Sequence, residues 1–225
     1  MNFSELEQTI DYTFKNKALL QTALTHSSYA NEKCAGTLYN ERLEFLGDSV
    51  LGIITAEYLF SNHRDFPEGE LTKVRAALVC EKALHCFAEE ISLGQYLYLG
   101  KGELRTGGRN RPSILADAFE ALIAAIYLDG GMEQAKKFVL HFVTAAQNGA
   151  IEMNDDYKTK LQEIIQKNPE ERIEYVILEE KGPDHDKRFV VAVKLNSNII
   201  GEGIGRSKKQ AEQRAAKEAL RLMGL

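Results

Sequence analysis

Residues 112–129 read Pro-Ser-Ile-Leu-Ala-Asp-Ala-Phe-Glu-Ala-Leu-Ile-Ala-Ala-Ile-Tyr-Leu-Asp, and this stretch restricts the fold most. Leu115, Phe119, Leu122 and Ile126 recur at helical spacing and make an apolar stripe. Ser113 is the expected N-cap, because its hydroxyl can accept from a free amide of the first turn. Asp117 and Glu120, three residues apart, share a face that Ala121 and Ala124 continue. Small residues on that face let another helix come close. The helix therefore reads as buried, yet it carries two carboxyl groups. A buried carboxyl needs a partner, or its pKa climbs until it is neutral. No Lys or Arg occurs in the stretch, so the partner is a side chain from elsewhere or a metal.

A second acidic group lies in residues 40–52, Asn-Glu-Arg-Leu-Glu-Phe-Leu-Gly-Asp-Ser-Val-Leu-Gly. Glu41, Glu44 and Asp48 fall at i, i+3, i+7 and share one helical face, with Leu43, Leu46, Val50 and Ile53 roughly opposite. Like charges on one stripe repel, a cost that a cation among them offsets. Magnesium takes oxygen ligands from one or two carboxylates together with water and substrate phosphates. Taken alone, residues 40–52 are equally a solvated acidic face. Asp117 and Glu120 alone are equally a buried pair satisfied by backbone or Arg. The two clusters together, each in an apolar helix, point to a shared metal site.

The 225 residues suffice for one large or two modest domains, and 44% hydrophobic content is ordinary for a globular chain. No run approaches the roughly 20 apolar residues that span a bilayer. The first residues, Met-Asn-Phe-Ser-Glu-Leu-Glu, lack a basic n-region and an apolar h-region, so a cytoplasmic protein is expected. Cys34, Cys80 and Cys86 make neither a disulfide framework nor a zinc pattern and are expected to be reduced and packed. None of the five histidines forms a spaced zinc pair, and there is no Gly-x-Ser-x-Gly nucleophile motif. Net charge is −5, unevenly spread. Residues 1–154 hold 14 Lys and Arg against 20 Asp and Glu, whereas residues 201–221 hold 6 against 3. An acidic front can act on a polyanion if metals mask its charge and a basic part does the holding.

The pattern predicts an α+β chain of two domains. Residues 1–147 form an all-α domain, 148–154 a linker, and 155–225 a small α-β-β-β-α domain. In the first part, apolar-periodic segments run near 4–11, 16–25, 40–61, 69–90, 112–128 and 131–147. The Gly- and Arg-rich stretch 100–111 is expected to be a mobile loop, either a solvated connector or a substrate-side loop. In the second part, 156–167 is helical, 172–179, 188–195 and 198–204 are strands, and 207–222 is an Ala-rich helix.

The segment Glu41-Arg42-Leu43-Glu44-Phe45-Leu46-Gly47-Asp48-Ser49 resembles the signature of bacterial ribonuclease III, and the tail resembles that family's double-stranded RNA-binding domain. The resemblance covers essentially the whole chain. It implies a homodimeric, magnesium-dependent endonuclease, with manganese able to substitute, that cuts duplex RNA. It further implies 5′-phosphate and 3′-hydroxyl ends with short 3′ overhangs, ribosomal precursors and messengers as substrates, and no small-molecule cofactor or membrane partner. By the same resemblance Glu44, Asp117 and Glu120 are metal ligands, and Asp48 is a ligand or orders the attacking water. Glu41 and Glu68 are outer-shell or dimer-interface acids. Phe45 packs into a partner subunit; as an aromatic of its own core it reads nearly as well. His26-Ser27-Ser28-Tyr29 and Lys73-Val74-Arg75 match polar positions near the substrate, with no single roles assigned.

Duplex RNA is read across its minor groove and by its phosphates, over about 16 base pairs per such domain. Thr159, Gln162 and Gln166 on the first tail helix are candidates for the minor groove. His185 is either a minor-groove residue or an exposed turn histidine. Ser207, Lys208 and Lys209 at the start of the last helix suit phosphates. Glu170, Glu171, Glu174, Glu179 and Glu180 are expected on the face away from RNA. Two other functions compete: a catalytically idle duplex-RNA binder, against which the intact acids argue, and a metal phosphohydrolase of small esters, against which the tail argues.

Overall fold

The computed structural model describes residues 3–33, 36–148, 151, 157–166, 168, 170–181, 187–205 and 207–225. They divide into two compact units, Met1–Met153 and Asn154–Leu225, each with its own apolar core.

The first unit is helical: α1 (Ser4–Thr9), α2 (Lys17–Ala23), α3 (Ser27–Glu32), α4 (Glu41–Asn62), α5 (Glu68–Val79), α6 (Glu81–Glu90), α7 (Lys101–Arg105), α8 (Pro112–Gly130) and α9 (Met132–Gln147). Its centre is α8, on which Ile114, Leu115, Phe119, Leu122, Ile126 and the alanines between them are buried. Helices α2, α4, α6 and α9 pack around it. Phe87, Phe119, Phe138 and Phe142 form an aromatic cluster where α6, α8 and α9 meet. Helix α4 approaches α8 so closely at Gly47 that an added Cβ would lie 1.9 Å from the Glu120 carbonyl oxygen. The C-terminal end of α8 is clasped to the amino-terminal segment. There Asp129 accepts from the Tyr12 hydroxyl (2.7 Å) and from the amides of Lys15 and Asn16 (both 2.8 Å).

Several expectations are corrected. The segment 69–90 is two helices, broken at Cys80, whose ψ of 156° is extended. No Gly or Pro marks that break. The stretch 100–111 is not a loop throughout: it holds α7 and a 3-10 turn at Gly108–Asn110. Two of its three arginines are tied down, Arg111 to Glu103 (2.6 Å) and Arg109 to the Gly94 carbonyl (2.7 Å). Ser113 does not cap α8. Pro112 occupies the first turn and Arg111 is the cap residue, a position suited to proline because its missing N–H would be unpaired anyway. Ile53 does not join the buried stripe of α4 and is 59% exposed. Cys80 is exposed and Cys86 half-buried, neither in a disulfide, while Cys34 lies outside the described residues.

The second unit has α10 (Tyr157–Ile165), β1 (Ile173–Lys181), β2 (Arg188–Leu195), β3 (Asn198–Gly205) and α11 (Lys208–Leu222). The strands form one antiparallel sheet in the order β1-β2-β3. Leu161 and Ile165 of α10 and Ala215, Ala216, Ala219 and Leu220 of α11 share a core with Val193 of β2. Gly201, Gly203 and Gly205 alternate along β3 and meet Ala211, Ala215 and Ala219 of α11. A Cβ on Gly203 would lie 2.2 Å from the Ala215 nitrogen, so glycine and alanine together let helix and strand backbones touch.

Candidate active site

Glu44 comes from α4, and Asp117 and Glu120 from successive turns of α8. Gly47 lets the two helices approach here. The start of α4 is fixed by Asn40, which is 2% exposed. Its carbonyl accepts from the amides of Leu43 (2.8 Å) and Glu44 (2.9 Å), and its own amide donates to the Thr25 carbonyl (2.9 Å). As a result one carboxylate oxygen from each of Glu44, Asp117 and Glu120 lies within 4.8 Å of the others.

All three side chains are half-buried, and all three carboxyls hold their protons above the usual carboxylate range. Burial pushes Glu120 up to about 8, aided by the charges of Asp48, Glu44 and Asp117. Burial also raises Glu44, with Asp117 and Glu41 adding to it. Asp117 is raised by burial, then by Glu81 and Glu41, while His26 pulls it down. Such a group is unfavourable when fully ionised and bare. The donor set fits a hard divalent cation, since it is all oxygen and only half-buried, which leaves room for water and substrate phosphate.

The other predicted residues fall around this group as follows. Asp48, one turn beyond Glu44 and exposed, is outside the 4.8 Å set but acts on Glu120. Glu41 is exposed on the first turn of α4 and acts on Glu44 and Asp117. Glu68 opens α5, where its carboxylate accepts from the Thr72 hydroxyl at 3.0 Å. Phe45 is 79% exposed, so it is not a core residue of its own unit. Lys73 and Arg75 are exposed on α5.

Two neighbours were missed as site residues. His26 caps α3, its Nδ1 accepting from the Ser28 amide at 3.2 Å. Glu81 is an isolated acid at the start of α6. Neither has a spacing relation to Asp117, so tertiary packing alone brings them to it. The one available signal was the His26-Ser27-Ser28-Tyr29 match.

In the second unit Thr159 and Gln162 are exposed on α10, and Gln166 is exposed just past its end. Ser207 caps α11, its hydroxyl accepting from the Gln210 amide at 3.2 Å. Lys208 and Lys209 are exposed, the former with its Nζ 5.7 Å from the centroid of the Phe189 ring. His185 lies outside the described residues. The strand glutamates are exposed, with Glu179 paired to Lys181 and Glu180 to Lys187.

Residues 16–146 match a family model described as Ribonuclease-III-like, and residues 157–223 match the double-stranded RNA binding motif. Ribonuclease 3 of Oceanobacillus iheyensis is 52% identical over 222 residues, covering 98% of this chain and 97% of that protein. Ribonuclease 3 of Clostridium tetani is 51% identical over 227 residues, covering 99% and 95%. Among solved structures, the nuclease domain of ribonuclease III from Campylobacter jejuni superposes with a TM-score of 0.60 at 44% identity, covering 64% of this chain and 95% of that one. Among the described residues no helix is long and apolar enough to cross a membrane. The helical unit with its half-buried acid cluster, the α-β-β-β-α unit that follows it in sequence, and these matches place this chain in the ribonuclease III family of double-strand-specific endoribonucleases.

Proposed function

We propose that the chain is a magnesium-dependent, cytoplasmic homodimer that cleaves duplex regions of ribosomal precursors and messengers. The products carry 5′-phosphate and 3′-hydroxyl ends with short 3′ overhangs, and manganese substitutes for magnesium. The carboxylate group of Glu44, Asp117 and Glu120 carries this reading. These three side chains would hold the metal. Magnesium bound there supplies charge neutralisation of the phosphodiester and stabilisation of attacking and leaving oxygens. Asp48, exposed and beside Glu120, completes the ligand set or orients the water. Glu41 adds negative charge at the rim, and Glu68 serves an outer-shell or interface role. Phe45, exposed on α4 with Ile53 and Phe60, packs against the partner subunit. Thr159, Gln162, Gln166 and His185 lie along the minor groove, while Ser207, Lys208 and Lys209 bind phosphates.

The test is cleavage of a uniformly labelled duplex of about 40 base pairs, more than two site lengths, with magnesium, with calcium and with chelator. Discrete short duplexes with magnesium alone are expected. Intact but gel-shifted RNA in all three conditions would make the acid cluster structural and the chain an RNA binder only.

A further inference from the structure

Two arginines of the second unit face one hollow. Arg188 opens β2, and Arg214 lies in the second turn of α11. With Ile204, Gly205 and Gln210 they line a cavity of about 340 Å³, and among the described residues no carboxylate lines it. Arg214 is anchored, its guanidinium donating to the Ile204 carbonyl at 2.7 Å. That bond employs one of five N–H donors. Arg188 is exposed and has no ion pair among the described residues. The acids of β1 nearby are committed: Glu179 pairs with Lys181 (2.6 Å) and Glu180 with Lys187 (3.0 Å). Glu202 on β3 sits opposite Ala192, farther along the ladder than the Val190–Ile204 pair beside the hollow. Lys208, over the ring of Phe189, adds positive charge at the same end of the sheet.

Two guanidinium groups lining one cavity repel each other, and an anion between them reverses the sign. Phosphate is the match, because its oxygens accept from the planar guanidinium fork in pairs. The hollow also lies on its own flank of α11. Gln210 and Arg214 are i, i+4 and face the β3 edge, whereas Glu212 turns the other way and pairs with Lys158 of α10 at 2.7 Å.

We propose that Arg188 and Arg214 form a second phosphate site of the RNA-binding unit, at the β3 edge. It takes a backbone phosphate of bound RNA outside the contacts expected of α10 and the start of α11. The RNA assignment rests on duplex binding by this unit; the anion site itself does not.

The test uses the full chain in chelator, so that RNA is held but not cut, with a duplex of about 40 base pairs over a salt series. Arg188→Ala is expected to weaken binding about tenfold, the worth of one charged hydrogen bond. It should also lower the slope of log K against log salt by about 0.9. Arg188→Lys should keep the slope. In parallel, inorganic phosphate is titrated while the backbone amide resonances of Gly205 and Gln210 are followed. Saturable shifts that vanish in Arg188→Ala are expected. Phosphate shifts with unchanged RNA affinity and slope would overturn the RNA assignment and leave a site for free phosphate. Absence of both effects would overturn the site. Failure of the unmodified chain to bind duplex would refute the RNA-binding reading of the unit, while the phosphate titration would still decide the hollow.

Discussion

Glu120 sits where burial and three neighbouring carboxylates all favour its proton. A carboxyl with a higher pKa folded than unfolded binds its proton more tightly in the fold. Its contribution to stability is full below the ordinary 4.5 and is lost as pH rises to about 8. Glu120→Gln removes that loss. In chelator, the variant is expected to melt higher than the parent at pH 8, by a few degrees at about 2–4 °C per kcal/mol. The two should converge toward pH 5, and melting curves across that range check it; a gap that widens toward pH 5 would refute the account. The same variant should bind duplex RNA and fail to cut it. Helical spacing made it legible that Glu44 and Asp48 share a face of one helix and Asp117 and Glu120 a face of another; that Glu44 meets Asp117 and Glu120 is set by the packing of α4 on α8. Glu81 was not legible, since three-dimensional packing alone relates it to the acids, and His26 was marked only by the motif it opens. Whether Phe45 pointed inward or outward was equally open until the packing of α4 was known.

Among the elements, the long helices and the three strands followed from periodicity. The misreadings fall where periodicity has nothing to grip. Helix α7 is five residues long, shorter than two turns, and arises from tertiary ties through Arg111 and Arg109. Cys80 breaks α5 from α6 by an extended ψ that any residue can adopt. The contact of β3 with α11 is the most demanding junction in the second unit. Gly203→Ala is expected to cost that unit about 1–3 kcal/mol through overpacking and to weaken RNA binding. The first unit, with its own core, should keep its melting transition; calorimetry on the full chain resolves the two. Helix α7 offers the opposite case. Nothing lies within 4 Å of a Cβ built on Gly102, so Gly102→Ala should stabilise the first unit by about 0.5–1 kcal/mol, measured by denaturant midpoint.

For the molecule as a whole, the chain divides into two compact units, Met1–Met153 and Asn154–Leu225, an acidic one and a locally basic one. What a single sequence cannot announce is a second copy of itself, because exposure is a property of the folded surface. Phe45, Ile53 and Phe60 are 79%, 59% and 76% exposed on one helix. Phe45→Ala is expected to weaken the proposed dimer by at least ~2 kcal/mol, about thirtyfold, with cleavage lost at low protein concentration and duplex binding retained. Sedimentation velocity across a dilution series is the check, and an unchanged dimer would remove Phe45 from the interface. The glycines carry a different kind of consequence, one that is genetic. Every missense change of a glycine codon adds at least a Cβ, so Gly47, Gly201, Gly203 and Gly205 have no conservative neighbour among the other amino acids. A saturation library selected for activity should fall silent at these four codons while Gly69 and Gly102 drift freely, leaving in the surviving genes an imprint of where two backbones touch.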